Sequence, residues 1–201
     1  MSTKAIVLYA SVVLFGLLVG NASALWMSGL IGKFSAASFA NINIANWTSD
    51  RSIGAVSANP YTRARVARHG LLALVKEEAI YFTRSVDDSG EQLQERCTYV
   101  LSGKRQKAFW WSVTLYDSES RLPMNDDLAL SIDATTIGER GEWTAIIAPT
   151  PPAGGHWISS RAAGRFDLTL RLYQPEADLV EFPEVWLAPP RIQKIKCEAA
   201  A

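Results

Sequence analysis

Histidine occurs only twice in this 201-residue sequence, cysteine also twice, and neither sign of charge predominates, with 20 Lys and Arg against 20 Asp and Glu. Each scarcity closes a class of function. His69 and His156 stand far apart with no partner at metal-ligand spacing, so neither a metal nor any other cofactor is expected. Balanced charge removes the broad basic footprint that neutralises phosphates, so nucleic acid is not an expected partner. The sequence contains no Gly-x-Ser-x-Gly elbow, no His-Glu-x-x-His, no Cys-x-x-Cys pair and no phosphate-cradling glycine loop. The enzyme classes those motifs announce lose their support.

What is present is apolar material: 48% of the residues are hydrophobic, enough for one packed core plus an anchor. After Lys4 the chain carries no charge until Lys33. Ala5 to Trp26 supplies the roughly 20 residues that a hydrocarbon core requires, and Trp26 suits the far interface. Residues 1–26 therefore read as a transmembrane anchor, with Lys4 and the amino terminus on the cytoplasmic side. A cleaved signal peptide is the alternative, because Ala22-Ser23-Ala24 is a small-x-small site. Both readings export the remainder. In an oxidising compartment Cys97 and Cys197 are expected to form a disulfide, which in the chain-entropy view contributes about 4 to 5 kcal/mol.

Residues 27–58, rich in Ser, Ala, Asn and Gly, read as a linker, and residues 59–201 as the domain. Asn59-Pro60 is a good helix start, and Ala64, Ala67, Leu71, Leu74, Val75 and Phe82 recur at helical steps. That spacing predicts one amphipathic helix from Tyr61 to Phe82. From Asp87 onward the period changes to two. Gln94 to Leu101 and Ala108 to Tyr116 read as a hairpin around the polar turn 102–107, with Phe109, Trp111, Val113 and Leu115 on one face. Further strands are expected at Leu128 to Ile132, Glu142 to Ala148, His156 to Ser159, Arg165 to Tyr173, Val185 to Leu187 and Arg191 to Ile195. In the clearest of them Phe166, Leu168, Leu170 and Leu172 point one way, and Asp167, Thr169, Arg171 and Tyr173 the other. The expected class is mainly β: a sandwich of jelly-roll type with one packed helix, preceded by a transmembrane helix.

Several of these segments together resemble the short membrane-anchored form of bacterial envelope proteins defined by the domain of unknown function 1214. They are Glu78-Ala-Ile-Tyr-Phe82, Cys97-Thr-Tyr99, Phe109-Trp-Trp-Ser-Val-Thr-Leu-Tyr-Asp117, Trp157 and Gly164-Arg-Phe-Asp-Leu-Thr-Leu-Arg-Leu-Tyr-Gln-Pro175. The resemblance implies a β-sandwich of jelly-roll type at the inner membrane, single-pass, with its C-terminal domain in the periplasm. It implies no settled activity.

Arg171, central in an otherwise apolar strand, is the polar residue to single out, with Asp117 or Glu78 as ion-pair partners or an anion as its ligand. Trp110, Tyr116, Tyr173 and Trp157 could stack on flat apolar ligand faces such as sugars or aromatic compounds, or simply close the sandwich against the helix. The adjacent carboxylates Glu77-Glu78, Asp87-Asp88 and Asp126-Asp127 diverge in direction and read as turn or solvated-face groups. Two functions stay open. One is a ligand- or partner-binding envelope domain, attached to the lipid bilayer by its N-terminal helix, that takes a small molecule or another envelope protein. The other is a hydrolase or lyase built from Arg171, Tyr173, Asp117 and His156.

Overall fold

The computed structural model describes residues 2–31, 40–68, 74–138 and 141–198. Helix α1, Thr3–Met27, has no buried residue and is long and apolar enough to cross a membrane, a test that a signal sequence near the N-terminus also passes. Its side chains, Leu14 and Phe15 among them, lie open along the whole length. Only an apolar surrounding rewards such a surface, at about 1.5–3 kcal/mol for each large side chain.

The rest of the described chain is a two-layer β structure. Strands β1 (Ile42–Ile44), β2 (Trp47–Ser49), β3 (Ala79–Arg84), β4 (Cys97–Lys104), β5 (Ala108–Asp117), β6 (Ser131–Asp133), β7 (Glu142–Ala148), β8 (His156–Ser159), β9 (Phe166–Pro175) and β10 (Arg191–Cys197) are interspersed with short helices. The helices are α2 (Pro60–Arg68), α3 (Ala134–Ile137), α4 (Ala177–Glu181) and α5 (Pro183–Trp186). One sheet runs β1-β2-β3-β9-β5-β6 and the other β10-β4-β7-β8. This is the expected mainly β, sandwich-like arrangement. All pairs are antiparallel except β7 with β8.

The expected alternation in β9 sets the core. Phe166, Leu168, Leu170 and Leu172 are all buried, facing Tyr99 and Leu101 of β4, Ile147 of β7 and Ile158 of β8 in one cluster. Tyr99 meets Phe166 edge-on at 6.1 Å between ring centroids. At one end Trp111 stacks on Trp143 at 4.8 Å. Gly103 permits that arrangement, since a Cβ there would fall 2.4 Å from the Trp143 ring. Cys97 and Cys197, directly opposed on β4 and β10, are joined in a disulfide.

Five expectations are corrected. The helix from Tyr61 to Phe82 begins as expected, with the Asn59 side chain accepting from Thr62 N at 2.9 Å, but Ala79 to Phe82 belong to β3 and pair with β9. A run of Ile80, Tyr81, Phe82 and Thr83 favours a pleated surface, and pairing outweighs the three-to-four spacing of its apolar positions. His69 lies outside the described residues. Within the expected linker, residues 42–49 form the β1–β2 hairpin, which extends the larger sheet through Thr48 opposite Thr83. Trp47 is fully buried there, its indole N–H donating to Pro190 O at 2.8 Å.

The hairpin expected around 102–107 does not form, because β4 and β5 lie in different sheets. Gln106 pins this crossing by donating to Lys104 O at 3.0 Å and Ala188 O at 2.7 Å. Val185 and Trp186 sit in α5, where Pro183 at the first helical position starts a turn rather than a strand. Phe109 shares the strand face of Trp111, Val113 and Leu115 yet is 83% exposed, while those three are buried. It lies beyond the end of the facing layer.

Candidate functional site

The outer face of the six-stranded sheet carries the polar half of β9. In register, Arg171 lies between Tyr81 of β3 and Ser112 of β5, and Tyr173 lies between Ala79 and Trp110. Asp167 stands opposite Tyr116. Because side chains alternate across a strand, these residues share one surface. Arg171 Nη2 donates to Tyr116 Oη at 2.6 Å, and its guanidinium carbon lies 5.2 Å from the centre of that ring. The rings of Trp110 and Tyr173 approach at 5.3 Å, and Trp110 Nε1 donates to Thr135 Oγ1 at 3.0 Å. Between Arg171 and Asp167, Thr169 is buried and its hydroxyl meets Thr83 Oγ1 at 3.2 Å.

The electrostatics of this face are unusual. Among the described residues no carboxylate forms an ion pair with Arg171, neither Asp117 nor Glu78 included. Asp117 is committed to a turn, where its Oδ1 accepts from Glu119 N at 2.8 Å and Arg121 N at 2.9 Å. Glu78 contributes its main-chain carbonyl to Gln174 N at 2.8 Å. Burial pushes the Asp167 carboxyl up to about 7; the charge of Asp117 adds to this and Arg171 opposes it. Tyr81, 4% exposed, is also raised, by burial first and by Tyr173 second. The face therefore holds an arginine without a contact anion beside a carboxyl that is largely neutral below pH 7.

Of the residues singled out in the sequence, Arg171, Tyr173, Trp110 and Tyr116 come together on this face. Asp117 is at its end and acts through its charge. His156 and Trp157 are elsewhere, on β8 of the other sheet opposite Ala145 and Ile146. His156 lines a groove of about 510 Å³ with Ser102, Trp143, Thr144 and Arg191, and Trp157 Nε1 is occupied by Ala148 O at 3.0 Å. The four catalytic candidates thus do not form one constellation. Asp167 was not among them; the alternation of β9 put it on the polar face, but only strand pairing puts Asp117 nearby. Among the described residues no group of three His, Cys, Asp or Glu side chains could hold a metal ion.

Comparison with known proteins adds fold and family without chemistry. A family model described as "Protein of unknown function (DUF1214)" matches residues 78–177. The crystal structure of the VPA0106 protein from Vibrio parahaemolyticus is similar at a TM-score of 0.58 with 18% sequence identity, over 98% of this chain and 46% of that one. This chain therefore spans less than half the length of that structure. A putative uncharacterised protein from Burkholderia cenocepacia aligns at a TM-score of 0.43 and 15% identity, over 59% of this chain and 30% of that one. No curated protein matches.

Proposed function

Because this chain carries, over residues 78–177, a domain of the DUF1214 family, which names no activity, we propose from the site itself that it is a membrane-anchored envelope domain binding a small anionic ligand with an apolar ring. The ligand sits on the outer face of the six-stranded sheet. Its anionic group meets Arg171 and the Tyr116 hydroxyl, and its ring packs beside Tyr173 and Trp110. The observation that carries this reading is that no carboxylate among the described residues pairs with Arg171. A half-buried guanidinium with one hydroxyl partner at 2.6 Å retains donors in a fork suited to a carboxylate, sulfate or phosphate. Neutral Asp167 leaves the positive charge uncompensated, and flanking rings exclude water.

In this reading α1 is retained in the inner membrane, single-pass, with the lipid bilayer as a standing partner and the domain in the periplasm. The run from Ala5 to Trp26 without charge and the Cys97–Cys197 disulfide support export to an oxidising side.

A hydrolase or lyase is the second reading. Asp167, held to about 7, is poised for proton transfer at neutral pH, with Arg171 and Tyr173 as neighbours and without His156. The test is a thermal-shift titration of the full chain in detergent with benzoate, indole-3-acetate and their uncharged amides at pH 6. The acids should raise the midpoint in a dose-dependent way and the amides should not. Equal response to acids and amides, or none to either, would exclude the anion site. Turnover of a phenyl ester or sulfate, abolished by Asp167→Asn, would select the enzyme.

A further inference from the structure

We propose that the edge of β5 at Ala108–Trp111, which no strand among the described residues pairs on the β6 side, receives an extended polypeptide strand from a partner protein. On one side β5 is accompanied by β9 as far as Ala108 opposite Pro175. On the other side its neighbour is short: β6 pairs Thr114 with Ser131, Val113 with Ile132 and Ser112 with Asp133, after which the chain turns into α3. Residues 108–111 extend past that last rung. Leu115 N donates to Leu130 O at 2.9 Å on the β6 side. The strict alternation of an antiparallel ladder then aims the main-chain groups of Phe109 and Trp111 the same way, into the space β6 leaves open.

That space is a groove of about 340 Å³, lined by Phe109, Trp110, Trp111 and Trp143, with Ala134 and Thr135 of α3 on its far wall. Gln106 lines it as well and makes a fixed wall. The side chain is 3% exposed, its amide nitrogen is used twice, on Lys104 O and Ala188 O, and among the described residues its buried Oε1 has no donor. Reversing the amide would forfeit both bonds, so the side chain is held in this one orientation. Arg105, also in the lining, forms no ion pair among the described residues, which suits an acidic residue at the end of the incoming segment.

The shape favours a strand over a flat ligand. Phe109 and Trp110 are consecutive on β5 and point to opposite faces of the sheet, so one ring or sugar face cannot stack on both. An added strand, whose side chains alternate across the sheet, reaches Phe109 and Trp143 on one face and Trp110 on the other. It also gives Phe109 the cover it lacks at 83% exposure.

The probe is a fluorescein-labelled peptide alternating valine and threonine with aspartate at both ends, titrated by anisotropy against the full chain in detergent micelles. A second peptide is N-methylated at every other residue, which removes the ladder donors and leaves the side chains. The first should bind with micromolar affinity and the second at least tenfold more weakly. Phe109→Ala, an exposed position whose thermal midpoint should match the parent, should weaken the first peptide at least tenfold. Absence of binding, equal binding of the two peptides, or a Phe109→Ala variant that binds as the parent does would overturn the proposal.

Discussion

Two arginines on neighbouring strands of one sheet have opposite fates. Arg84 at the end of β3 is 3% exposed and is met on every side. Its Nε donates to Val86 O at 2.7 Å, Nη1 to Pro190 O at 3.4 Å and Nη2 to Asp88 Oδ1 at 2.8 Å. Asp88 in turn accepts from Ile192 N at 3.0 Å and Arg191 Nε at 3.2 Å. Burial opposes its ionised form, but the bonds from Ile192, Arg84 and Arg191 prevail and hold its carboxyl below the usual range. Among the described residues Arg171 on β9 meets one hydroxyl and one ring, and the carboxyl of Asp167 on the same face is driven toward neutrality. A buried charge must be compensated within the fold or bring its compensation from outside. Arg84 is therefore structural, tying β3 to the β10 layer, whereas Arg171 is available to a ligand.

The sharpest way to break this comparison is at Arg84. Arg84→Met removes the donor to Val86 O and the cation that faces Asp88, while Pro190 O keeps Trp47 Nε1 and Asp88 keeps Ile192 N and Arg191 Nε, and should cost about 3 kcal/mol in denaturant unfolding. A loss below about 1 kcal/mol would make the two arginines alike. Opening the disulfide that fastens the same layer, through Cys97→Ser with Cys197→Ser, should cost about 2–5 kcal/mol by the same measurement.

Asp167 sharpens the other side of the comparison. Its carboxyl titrates higher in the folded state than unfolded, so the protonated form contributes stability that is fully present below about pH 4 and lost as pH rises through about 7. The parent should weaken between pH 5 and 8 by on the order of a few kcal/mol, and Asp167→Asn should remove that slope and be the more stable protein at pH 8. A parent stability that rises over this window would contradict the raised carboxyl. The smallest expected effect on the fold belongs to Arg171→Gln: under about 1 kcal/mol, because no partner charge is stranded.

The contrast between the arginines was half legible in the sequence. The period-two pattern of Phe166 to Tyr173 put Arg171 on the polar face and Leu168, Leu170 and Leu172 in the core, as found, because alternation is local information. Arg84 gave no such signal, since its partners Pro190 and Asp88 are assembled by the β10 layer. The β3 strand reads as helix for a related reason: Phe82, seven residues after Val75, fits a helical face until β9 lies beside it. The β4–β5 crossing was hidden because a polar hexapeptide between two strands looks the same whether the strands pair or part. Only Gln106, reaching Ala188 O far along the chain, distinguishes the two.

The most direct measurement is isothermal titration of the full chain with benzoate at pH 6 and pH 8, alongside Arg171→Gln. The expected result is binding at pH 6, weaker binding at pH 8 where Asp167 is ionised and competes for Arg171, and at least tenfold loss in the variant at both. Benzoate that binds the variant as tightly as the parent, or binds the parent more tightly at pH 8, would contradict the assignment of Arg171 as the anion site.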